Sequence, residues 1–128
     1  MSLPPIPPRV LKFLAEKINT VIELEALLIM SDDENRVWTE QEVAARLYTQ
    51  PASAARVLDA LTRRQLIVAE GKPPQYRFNP PHSDDRTLIA EVAQAYGRNV
   101  VAISTYIHSK ASVSVKEFAR AFDLKKEP

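Results

Sequence analysis

A chain of 128 residues, 45% hydrophobic and 26% charged, is long enough for one packed domain and has the balance of an ordinary globular protein. It holds no cysteine and two widely spaced histidines, His82 and His108, which excludes disulfides, thiolate nucleophiles and cysteine-based zinc sites and leaves no metal pair. The net charge of +1 is unevenly divided: from Glu16 to Ala45 eight acids face two bases, a balance of −6, and from Arg46 to Arg77 six bases face two acids, a balance of +4. Affinity for a polyanion therefore belongs to the second stretch, unless the segregation reflects only solvated helix faces.

Pro4, Pro5, Pro7 and Pro8 predict a stiff, extended lead. A first helix opens near Pro8 or Arg9, with Val10, Leu11, Leu14 and Ile18 on one face at the spacing of an amphipathic helix. Thr20-Val21-Ile22-Glu23 is a capping box, and the helix it starts runs to about Met30. Leu24, Ala26, Leu27, Leu28 and Ile29 make that helix apolar over much of its surface, as expected of a central core element. The acidic run Ser31 to Asn35 ends it as an exposed loop.

Val37-Trp38 predicts a short strand, and Thr39-Glu40-Gln41-Glu42 a second capping box with Trp38 and Val43 as its hydrophobic staple. That helix buries Val43, Ala44 and Leu47 and stops near Tyr48-Thr49. Pro51 restarts a helix, because its missing N–H costs nothing in a first turn. Ala54, Val57, Leu58 and Leu61 form its buried stripe, leaving Ala52, Ser53, Ala55, Arg56, Asp59, Ala60 and Arg63 facing outward. Leu66 to Ala69 and Gln75 to Phe78 predict two strands of a hairpin, with Tyr76 and Phe78 directed to the core.

After Pro81, Ser83-Asp84-Asp85 opens a helix expected to continue to about Ser109. Ile89, Val92, Tyr96, Val100, Ile103 and Ile107 form one stripe along it, and Gly97 marks a kink or a close helix contact. A third capping box, Ser114-Val115-Lys116-Glu117, starts a short helix carrying Phe118 and Phe122.

Catalysis finds no support in these residues. There is no glycine-rich phosphate loop, and neither histidine has Ser and Asp neighbours at a motif spacing, so neither an enzyme nor a cofactor is expected. His82-Ser83-Asp84-Asp85 reads as a helix cap, and Asp32-Asp33-Glu34 lacks the alternating ligands and glycine of a calcium loop. No run approaches the ~20 apolar residues of a membrane span, and the N-terminal stretch lacks the apolar core of a signal peptide, so a cytoplasmic location is expected.

The stretch from Thr39 to Asn79 resembles the winged-helix transcriptional regulators, most nearly the multiple-antibiotic-resistance repressor and phenolic-acid-repressor groups. The likeness lies in the helix start Trp38-Thr39-Glu40-Gln41-Glu42-Val43-Ala44, in the helix Ala52 to Leu61, and in the Leu66-Ile67 step that follows. It implies a mainly α, single-domain fold: an N-terminal lead and helix over 1–19, a winged helix-turn-helix of three helices and a β-hairpin wing over 20–80, and a helical extension over 81–128. It also implies a regulator that binds double-stranded DNA. By position, Ser53 and Arg56 fall where such proteins meet bases and phosphates, and Lys72 falls at the wing tip. Arg63 and Arg64 extend the basic surface, and Gln50 lies at a helix N-terminus, where backbone N–H groups favour a phosphate. Gln65 stands where many of these regulators have glycine.

Two alternatives stay open. The alanines Ala52, Ala55 and Ala60 fit a protein partner as well as thymine methyls, so a protein-docking module without DNA binding competes with the regulator. Reading two half-sites calls for a homodimer, with Ile89, Tyr96, Val100, Ile103, Ile107, Phe118 and Phe122 as its interface, or these side chains pack back over the core. Any small-molecule effector would bind between the added helices and the winged core.

Overall fold

The computed structural model describes residues 6–110, and its helices begin where local chemistry releases the first backbone N–H groups. Helices α1 (Pro8–Lys17) and α4 (Pro51–Arg63) each open on a proline, which has no N–H to satisfy. Helix α3 (Glu40–Arg46) opens on a complete capping box: Thr39 Oγ1 accepts from the Glu42 N–H at 3.1 Å, and Glu42 Oε1 accepts from the Thr39 N–H at 2.9 Å. That Thr39 amide, and then the neighbouring Arg36, hold the Glu42 carboxyl below the usual carboxylate range. Helix α2 (Val21–Ser31) uses half of its box. Thr20 Oγ1 accepts from the Glu23 N–H at 3.2 Å, but the Glu23 carboxylate reaches past Thr20 to the Asn19 N–H at 2.8 Å.

The hairpin pairs β1 (Ile67–Glu70) with β2 (Gln75–Phe78) antiparallel, Ile67 opposite Phe78 and Glu70 opposite Gln75. Gly71, at φ +87°, supplies the left-handed residue its loop requires. The strand expected at Val37-Trp38 shrinks to one bridge, in which Trp38 and Tyr76 exchange two backbone hydrogen bonds of 2.8 Å. Thr39 is already the cap of α3, so only Trp38 is left to pair. The protein is thus mainly helical with a two-stranded antiparallel sheet.

One core joins all these elements. Leu24, Ala26, Leu27 and Met30 of α2 occupy its centre, against Val10, Phe13 and Leu14 of α1, Ala54, Val57, Leu58 and Leu61 of α4, and Ile67, Tyr76 and Phe78 of the hairpin. The buried face of α1 includes Phe13, leaving Leu11 half-buried, and Ala60 of α4 is buried where an outward position was expected.

The single long helix expected after Pro81 is two. Helix α5 (Ser83–Arg98) ends at Asn99, whose backbone leaves the helical region at φ −137°, ψ 50°, and α6 follows over residues 100–110. Asn99 serves both helices: its N–H donates to the Ala95 carbonyl and its carbonyl accepts from the Ile103 N–H, each at 2.9 Å. Asn99 is thus at once the C-cap of α5 and the residue that accepts the first backbone bond of α6. Gly97 makes no close contact, since a Cβ added there would meet nothing within 4 Å, and the helix breaks two residues after it.

This turn decides what the apolar stripe covers. Ile89, Val92, Ile103 and Ile107 are fully buried within one chain, and Tyr96 packs half-buried against the same core. The expected dimer surface is corrected accordingly: Ile89, Ile103 and Ile107 are core, and of that set Val100 stays accessible, at 47%. Phe118, Phe122 and the third capping box lie outside the described residues.

A charged cluster fastens the far side of α1. Arg64 Nη1 donates to Glu23 Oε1 at 2.6 Å and to the Lys17 carbonyl at 2.8 Å. Lys110 Nζ, at the end of α6, donates to the carbonyls of Leu14 and Ile18 at 3.0 and 2.5 Å and to Asn19 Oδ1 at 3.2 Å. Two cations therefore sit at the negative end of the α1 dipole. Burial, and then the charge of Arg64, push the Lys110 pKa down, with Glu23 acting in the opposite sense.

Helix α4 ends in a Schellman turn. The Gln65 N–H donates to Thr62 at 3.0 Å and the Leu66 N–H to Leu61 at 3.1 Å, which places Gln65 in the left-handed region at φ 63°. Gln65 thus adopts a conformation that glycine takes without penalty, at a cost of ~1 kcal/mol. Gln65→Gly is expected to raise stability by up to ~1 kcal/mol, after the offset from a more flexible unfolded chain. A lower urea midpoint would refute this.

Candidate functional site

The residues expected to meet DNA fall on three elements: the turn before α4, the outer edge of α4, and the hairpin loop. Ala52, Arg56, Asp59 and Arg63 recur at steps of three and four and form an exposed edge of α4. Arg56 Nη2 donates to Ser53 Oγ at 3.3 Å, and Arg63 pairs with Asp59 at 3.1 Å. Ser53 is half-buried and shares a groove with Thr20, Thr49 and Arg56 between the starts of α2 and α4. Gln50 is the exposed N-cap of α4 and makes no side-chain capping bond, so the first turn of α4 presents its N–H groups outward. Lys72 lies exposed in the loop between β1 and β2.

Arg64 does not belong to this surface. Its side chain is held by Glu23 and by the Lys17 carbonyl, and a guanidinium so engaged is unavailable to a phosphate. The same census reduces the basic balance of the segment. Arg63 is answered by Asp59, Arg64 by Glu23, and Arg77 by Glu70 at 3.2 Å. Arg46, Arg56 and Lys72 are left outside any ion pair among the described residues. Arg46 lies over the Trp38 ring at 5.5 Å, while Arg36 stacks closer on the same ring at 3.7 Å.

Tyr48 was legible in the sequence only as the end of a helix. In the structure it is 97% exposed and left-handed, at φ 55°. It is the residue after the C-cap of α3, and its turn is closed by Tyr48 N–H to Ala45 at 3.3 Å and Thr49 N–H to Ala44 at 3.0 Å, again a Schellman arrangement. The available signal was an aromatic in the short gap between the last apolar position of α3, Leu47, and Pro51. A turn that tight demands a left-handed residue.

Among the described residues, no group of three or more His, Asp or Glu side chains could hold a metal ion, and no helix is long and apolar enough to cross a membrane. Tyr76 and Phe78 are buried and cannot stack on a base. Tyr76 Oη lies 3.4 Å from Glu40 Oε1, and burial, then the Glu40 charge, raise its pKa. No family model, no curated protein and no solved structure matches the chain.

Proposed function

We propose that α2, α3 and α4 with the hairpin form a winged helix-turn-helix, and that the protein is a transcription regulator that lays α4 in the major groove of duplex DNA. The observation that carries this reading is the order of helix, short turn, helix and antiparallel hairpin, with the exposed edge of α4 bearing Arg56 outside any ion pair. Arg46, Arg56 and Lys72 supply the phosphate contacts. Three such contacts correspond to a log–log salt slope of about −3.

The test is fluorescence anisotropy with mixed genomic duplex fragments, titrated at several salt concentrations. Arg56→Ala and Lys72→Ala are each expected to weaken binding and to reduce the slope by about one. Folded protein that binds no duplex at low salt would overturn the reading. Stoichiometric capture of one protein partner would then favour the docking module, for which the exposed Ala52 and the self-neutralised Asp59–Arg63 pair provide a face of low net charge. A two-fold dimer reading paired half-sites would use the exposed valines at the start of α6, Val100 and Val101, the latter 78% accessible.

A further inference from the structure

Two residues of the described chain other than glycine have positive φ, Tyr48 and Gln65, and both occupy the same position of a Schellman turn. Their side chains make the pair unequal. Gln65 is polar and its exposed amide is well solvated, whereas Tyr48 holds an aromatic ring in water at 97% exposure. Glycine is the usual residue at this position because it carries no Cβ penalty. A tyrosine there bears the strain of the left-handed backbone and buries nothing in return. Strained residues that gain nothing in the isolated fold point to a partner.

The position of the turn identifies which partner. Tyr48 lies two residues before Gln50, the N-cap of α4, and Thr49, next in the chain, lines the same groove as Ser53 and Arg56. Tyr48 therefore lies in the turn that leads into the end of α4 carrying its free N–H groups, one residue before a groove that Arg56 also lines. Resting on the reading of this protein as a DNA binder, we propose that Tyr48 is a contact residue for the duplex, its hydroxyl donating to a backbone phosphate oxygen and its ring lying against the adjoining sugar. A neutral donor of this kind positions the protein without displacing a counterion.

That property separates Tyr48 from the basic residues in one experiment. Tyr48→Phe should weaken duplex binding about three- to tenfold, the worth of one hydrogen bond, while leaving the salt slope unchanged. Tyr48→Gly should weaken it further and at the same time raise the urea midpoint, because the strain is relieved. A residue with a purely structural role would change the midpoint and leave affinity where it was. Wild-type binding matched by both variants overturns the assignment of Tyr48 and leaves the DNA reading intact. Wild-type protein that is folded and binds no duplex overturns both.

Discussion

Replacing Ile103 with aspartate is expected to abolish the folded state, and Ile103→Ala to lower stability by about 2–5 kcal/mol. Ile103 is fully buried, in one cluster with Ile89, Ile107 and the residues of α1 and α2. A carboxylate there would have to be desolvated without a partner, which no domain of this size can absorb. Circular dichroism with urea unfolding checks both variants. If Ile103→Asp instead gives a soluble, folded protein, the side chain lies at a surface and the packing of α6 described above is wrong.

Removing Glu23 is the other large perturbation. Its carboxylate is almost wholly buried and accepts from Arg64 at 2.6 Å and from the Asn19 N–H at 2.8 Å, next to Lys110. Glu23→Ala leaves two cations facing each other at the end of α1 with their shared counter-charge gone. Loss of one partner from a buried ion pair costs about 3–5 kcal/mol, and the partial exposure of Arg64 places this case near the lower figure. Glu23→Gln keeps acceptors for both donors and removes the charge, so its loss should be intermediate. An unchanged urea midpoint for Glu23→Ala would show that the cluster carries no stability.

These two sites mark where the sequence could be read and where it could not. Features specified by residues within one turn of each other were visible from the start: the Thr39–Glu42 box, the proline starts of α1 and α4, and the 3-to-4 stripe of α4. Glu23 was visible as a capping residue and Arg64 as a surface base, but their pairing joins positions 41 residues apart and no local pattern encodes it. The turn at Asn99 was hidden for the opposite reason. The apolar spacing runs through it unbroken, so periodicity reported a continuous helix while the backbone changed direction. At the candidate interface, Arg56, Gln50 and Lys72 are exposed. Ala60 and Arg64 are not, because the outer edge of a helix is set by what packs beneath it.

The cluster at the end of α1 also imposes an order of events on the growing polypeptide. The carbonyls of Lys17 and Ile18 precede their donors, Arg64 and Lys110, by 47 and 92 positions. Until residue 110 has emerged from the ribosome, the Ile18 carbonyl at the end of α1 lacks its Lys110 donor. At synthesis rates of about 5–20 residues per second, that carbonyl waits several seconds for it. The earliest helix of the described chain is therefore among the latest to be finished, and a chain interrupted before Lys110 would leave it open.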